Sequence, residues 1–260
     1  MLLGSIVLAV GTLLSATGAP VTRVVLTWMS FFVLTIAAER LELSRLAPTP
    51  RSARIGFAIA AALLALGSLG AALFGPSTAL ARVSGVALAA IGLWQLRFDL
   101  ARRVLKRPGL PAFAAAGVLA GAFWLVVAGA LTMLFGVPPG GPIYDAILHS
   151  VFVGYVLSMV FAHAAIVLPA VARIEIPFTK YLYLPLGALH AGLSLRVAGD
   201  LAGPLLPRRL GAVLTAVALI VFALTVVAAK AIRSLQSRST PQSTCWNWRA
   251  RLSRRTARRS

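Results

Sequence analysis

Acidic side chains are scarce in this chain: six stand against 25 basic ones in 260 residues. Cysteine is scarcer still. Cys245 lies alone in a polar, basic stretch, which excludes an intramolecular disulfide and any cysteine-built metal site. No HExxH, phosphate loop, Gly-rich dinucleotide fingerprint or Ser-His-Asp arrangement is present, so the chemistries that travel with those motifs have no foothold. Charged residues make up 12% of the chain, about half the share usual in a soluble domain. Apolar residues fill the gap at 59%, with a mean hydropathy of +0.90. A soluble protein of this size could not hide that much apolar surface, so the expected solvent is lipid.

A helix needs about 20 mostly apolar residues to cross the hydrocarbon core. Eight segments qualify: 2–19, 24–43, 54–75, 78–96, 110–136, 143–171, 180–200 and 209–232. Turn signals part them, among them Pro48-Thr49-Pro50, Gly75-Pro76, Pro108-Gly109, Pro138 to Pro142 and Gly203-Pro204. The fold class is therefore all-α, a polytopic transmembrane helix bundle over 1–232 with about eight spanning helices. A Ser-, Thr- and Arg-rich tail over 233–260, with Trp246 and Trp248, reads as disordered in water. Segment 1 lacks the basic n-region of a signal peptide and is expected to be retained.

The basic residues mark one side. Arg40, Arg45, Arg51 and Arg54 flank the second connection, and Arg97, Arg102, Arg103, Lys106 and Arg107 the fourth. Arg173 and Lys180 flank the sixth, and the stretch from Lys230 onward has nine basic residues and no acid. With an even number of helices all of these fall on one face, which predicts both termini in the cytoplasm of a bacterium and a location in the inner membrane. Only Arg208 and Arg209 argue against it. The same placement assigns the charge of +19 to topology and to anionic lipid on the cytoplasmic side, with no nucleic-acid partner. Gly117–Gly121 is a GxxxG, and Gly187–Ala191 a small-xxx-small pattern, of the kind that lets helices approach closely.

The candidate site lies in the last hairpin but one. His149, His163 and His190 are the only histidines, and ionisable groups inside a membrane are costly enough to point to function. If segments 6 and 7 turn near Glu175, His163 lies 12 residues before the turn and His190 15 after it, a depth difference of about 4–5 Å. These two form an expected mid-membrane pair, and Asp145, His149, Arg196 and Asp200 an expected level near the outer interface. At 100° per residue Asp145 and His149 share a face, with His163 about 40° away. Tyr183, His190 and Ser194 fall on one stripe of segment 7. Arg196 and Asp200 are four apart and able to neutralise each other, as are Glu42 and Arg45 at three apart.

Two imidazoles at one depth can ligate a metal, and facing helices are where haem and metal centres are built. Haem b between His163 and His190, or copper held by these and His149, would fit. So would a proton relay through His163 and His190, with Asp145 and His149 as the outer entry and Tyr183 and Ser194 in support. The bland alternative is that each histidine bonds a neighbouring helix and stabilises the bundle. Gln95, Trp94 and Trp124 are assigned to packing or to interfacial belts.

The stretch Asp145 to His149, Gly154-Tyr155, Ser158-Met159 and His163 to Pro169 is distinctive. Together with His190, Leu195 to Leu201 and Glu39 to Arg45, it resembles a group of bacterial polytopic membrane proteins similar to the NnrS-type proteins of nitric-oxide response. The likeness covers about 145–211 and 39–45. It implies haem or copper, His149, His163 and His190 as ligands, and a role in respiratory or nitrogen-oxide metabolism. A small proton-coupled transporter and an assembly subunit of a membrane complex are the alternatives.

Overall fold

The computed structural model describes residues 1–46, 48–75, 78–172 and 178–239. These are all-helical, with no strand among them. The helices are α1 (Leu2–Ala16), α2 (Val21–Leu43), α3 (Arg51–Phe74), α4 (Thr78–Phe98), α5 (Ala101–Val104), α6 (Leu110–Phe135), α7 (Pro142–His149), α8 (Ser158–Ala172), α9 (Tyr183–Ala202) and α10 (Leu205–Ser239). Single 3-10 turns follow α2 and precede α9. Between α7 and α8, Ser150–Leu157 is a π-helix, in which backbone N–H groups reach back five residues instead of four.

Among the described residues, six stretches are long and apolar enough to cross a membrane: Val21–Leu46, Arg51–Phe74, Ala79–Val104, Leu110–Phe135, Pro142–Ala164 and Leu205–Thr225. Of the eight segments expected, α1 is short, its 15 residues reaching about 22 Å. The 20 residues of α9 have the length but carry Arg196 and Asp200. At the far end α10 continues to Ser239, past the expected limit of 232. The turn expected near Glu175, together with Arg173, Cys245, Trp246 and Trp248, lies outside the described residues.

The bundle is tied together where small residues let backbones touch. At the α4–α6 crossing, a Cβ on Gly85 would stand 2.8 Å from the Gly129 carbonyl oxygen, and one on Gly129 would stand 2.7 Å from that of Gly85. Gly117 and Gly121 of the GxxxG face Ser158, Ala162 and Tyr155 across α6 and the π–α8 stretch. Gly187 faces open space, so the small-xxx-small pattern of α9 is not a contact. Gly192 and Gly199 take that role, packing on Gly211, Thr215 and Arg208 of α10. Gly203 ends α9 at φ 93°, the left-handed conformation that glycine adopts without steric cost, and Pro204 follows. That tight corner folds α10 straight back along α9 and brings Arg208 beside Asp200.

Consequently α9 and α10 pack chiefly on each other. This hairpin meets the body of α1–α8 through α7, the π-helix and a small apolar cluster of Phe113, Phe161, Leu182, Leu186, Leu189 and Ala218. Phe161 stacks on Phe222 at 3.9 Å in the same cluster.

Candidate functional site

At the Gly203 end, three helices share one ion cluster. Asp145 Oδ2 accepts hydrogen bonds from Arg196 Nε at 3.1 Å and Nη2 at 2.7 Å, joining α7 to α9. His149, one turn further along α7, places Nδ1 3.3 Å from Asp145 Oδ1 and 2.9 Å from the Asp145 carbonyl oxygen. From α10, Arg208 pairs with Asp200 and lies 3.9 Å from Asp145. The Asp200 carboxylate is fully buried, so the adjacent guanidinium is what makes its charge tolerable there. Two carboxylates face two guanidiniums, and the cluster is balanced.

Arg196 and Asp200 therefore do not neutralise each other. Each finds its partner on another helix, because Arg196 faces α7 while Asp200 meets the Arg208 side chain of α10, folded back at Gly203. The Glu42–Arg45 pair forms at 3.1 Å, with both side chains exposed.

Further along α9 from the Gly203 end, His190 sits in a closed chain of hydrogen bonds. Trp124 Nε1 is a donor only and lies 3.0 Å from His190 Nδ1, which must accept. The ring proton then resides on Nε2, which donates to Ser158 Oγ at 3.3 Å. Ser158 in turn donates to the Gly117 carbonyl at 2.7 Å. Both imidazole nitrogens are thus engaged, and Trp124, assigned to packing from the sequence, is the partner that sets the tautomer. Ser158→Ala would strand the Nε2 proton and remove the second bond to the Gly117 carbonyl, at an expected cost of about 1–3 kcal/mol in a thermal melt of the detergent-solubilised protein.

His163 turns elsewhere. His190 stands opposite Ser158, five residues before His163, so His163 lies about 140° around its helix and some 7.5 Å further along. Its Nδ1 donates to the Met159 carbonyl at 2.7 Å, and its ring lines an apolar cavity with Arg40, Val104, Leu110 and Ala114. The face expected to unite His149 with His163 assumed 100° per residue throughout. The π-helix between them turns less per residue and shifts the phase. Ser194 Oγ donates to the His190 carbonyl at 2.8 Å, and Tyr183 packs edge-on against Phe113 at 5.3 Å.

The fit to haem b or copper follows from these bonds. A metal on His190 would have to displace either Trp124 or Ser158, and His163 and His149 are directed to separate partners. Among the described residues no three His, Cys, Asp or Glu side chains gather as a metal site would require. As arranged, each of the three imidazoles is bonded to the protein itself.

Two polar pairs have no counterpart in the sequence reading. Arg40 on α2 reaches Asp99, beyond the end of α4, with Nε–Oδ2 at 2.8 Å and Nη2–Oδ1 at 2.5 Å, and both side chains are buried. Gln95 Nε2 donates to the fully buried Tyr155 hydroxyl at 2.7 Å, fastening α4 to the π-helix. A lone Asp99 among five basic residues is the signal that could have pointed to the first. The second had none, since its partners are 60 residues apart.

A family model described as a domain of unknown function, DUF8744, matches residues 1–231. The chain belongs to that family. The match spans α1 to α9 and α10 as far as residue 231, so both the ion cluster and the His190 chain lie within the DUF8744 region. No curated protein and no solved structure matches the chain.

Proposed function

We propose that this multi-pass membrane protein is a small proton-coupled carrier in which the α9–α10 hairpin works against the α1–α8 body. The observation that carries this reading is the ion cluster on Asp145, His149, Arg196, Asp200 and Arg208. It sits where the hairpin meets the body, beside a π-helix, and π-helical turns occur frequently at functional sites. Ionisable groups at membrane depth mark ion and proton paths, and carriers work by moving one bundle against another. Asp145 is the latch: protonation would release Arg196 and Arg208 together and loosen α9 and α10 from α7. The His190 chain is the pivot, closed on itself and holding the hairpin to α6 and α8.

In this reading α1 and α9 complete eight crossings, with the charges of α9 shielded from lipid by their ion-pair partners. Both termini are cytoplasmic in a bacterial inner membrane, the end bearing Arg97 to Arg107 facing the cytoplasm. The ion pairs of Arg208 neutralise one of the two basic residues that argued against that orientation.

The test is proton flux. Liposomes loaded with a pH dye and held inside-negative are expected to acidify when pools of small organic solutes are added outside. Asp145→Asn is expected to cut that response at least tenfold while the protein still inserts. A response equal to that of protein-free liposomes across all pools would overturn the proposal. Haem b or copper of the NnrS kind has a separate readout. A Soret band or bound copper that vanishes in His190→Ala would replace the carrier reading, and the expected preparation is colourless.

A further inference from the structure

At the opposite end from the ion cluster, two cavities lie on the two sides of α5. One, of about 600 Å³, is lined by Arg97, Arg102, Arg103 and Lys106, with Asp99, Phe98, Pro48 and Pro50. The other, of about 230 Å³, is lined by Leu100, Ala101 and Val104 from the same short stretch, with Leu43, Ala114 and His163.

In the first cavity the only carboxylate is spent. Asp99 is held by Arg40 from behind and also accepts the Ala101 backbone N–H at 2.7 Å. None of the four cations pairs with an acidic side chain among the described residues, and Arg97 leans instead over the Phe98 ring at 5.2 Å. Four exposed cations with no carboxylate partner among the described residues converge on one concavity at the end of an apolar span that runs to Val104, Arg102 touching only the Leu96 carbonyl at 3.5 Å. That depth is where lipid phosphates lie. Basic pockets at the ends of membrane helices bind anionic headgroups, and arginine favours phosphate through its forked donors.

We propose that this end of the protein holds an anionic phospholipid: its phosphate in the basic cavity, and the start of an acyl chain against the apolar wall of α5 beside His163. The basic cavity has an apolar groove next to it on α5, a surface that a lipid's chain can cover and a soluble phosphate compound would not need. That difference favours the lipid as the source of the phosphate. The Arg40–Asp99 pair neutralises the one negative charge that would repel the headgroup, and the Ala101 N–H bond to Asp99 fixes the start of α5 beside it.

Native mass spectrometry and lipid titration of the full chain in detergent test this, with phosphatidic acid, phosphatidylcholine and inorganic phosphate as probes. One phosphatidic acid per chain is expected to stay bound in preference to phosphatidylcholine. The double variant Arg102→Gln/Arg103→Gln is expected to weaken it roughly thirtyfold, the effect of two surface cations. Arg209→Gln, at the other end, controls for bulk charge and is expected to leave binding unchanged. Ala114→Leu, which narrows the apolar cavity, is expected to weaken phosphatidic acid binding several-fold, and a circular-dichroism melt checks that it folds. Equal retention of both lipids would overturn the proposal. So would undiminished binding by the double variant, or competition by inorganic phosphate as strong as by the lipid, which would assign the cavity to a soluble anion.

Discussion

Asp99→Ala is expected to destabilise the protein by about 3–5 kcal/mol, the largest single effect of any side-chain truncation in it. The Arg40–Asp99 pair is buried on both sides, with two hydrogen bonds between the side chains and a third from the Ala101 N–H. Removing the carboxylate leaves a guanidinium in a dry site with no compensating charge, and breaking a buried pair costs far more than the pair contributes net. The signature is in the comparison: Arg40→Met combined with Asp99→Leu is expected to lose less than either single change, because no orphan charge remains. Chemical unfolding in detergent micelles, followed by circular dichroism, reads both. A double variant as unstable as the sum of the singles would mean that the two residues act independently.

Gly129→Val is expected to be comparably severe. The α4–α6 crossing is a backbone-to-backbone contact in which each glycine sits over the other's carbonyl oxygen. A branched side chain there meets main chain, which cannot rotate away, so the helices must separate along their length. Overpacking in a fitted core costs about 1–3 kcal/mol, and this site belongs at or above the top of that range. Gly187→Ala is the internal control. Nothing stands within 4 Å of its Cβ position, and an alanine favours the helix, so stability is expected to hold or rise slightly. Thermal melts of the two variants side by side check the contrast. A Gly129→Val protein that melts with the wild type would show that α4 and α6 do not meet closely.

These two cases divide what is legible in a sequence from what is not. Helix positions were legible because apolar runs and Gly/Pro breaks are local, and lipid leaves the backbone little choice but helix. The polar residues near Gly203 were legible as a group, since Asp145, His149, Arg196 and Asp200 stand out in apolar surroundings. Their pairing was not, because it depends on how far each helix is rotated. Five residues suffice to turn His163 away from His190, and one π-helical stretch takes it out of phase with His149. Among small residues the same limit holds: Gly117 and Gly187 look alike in sequence, and only the first meets a neighbour.

Composition and hydropathy by themselves determined that this is an all-helical chain suited to lipid, with the basic residues gathered towards one end. Those properties follow from transfer free energies summed residue by residue, and no contact is needed to evaluate them. Tertiary structure alone decided which charges neutralise each other and that Trp124 and Ser158 close around His190. It also decided that Arg40, 59 residues away, disarms Asp99 inside a basic cavity. The reason is range. A hydrogen bond or ion pair is settled within about 3 Å, and the rotation of one helix by a fraction of a turn moves its side chains further than that.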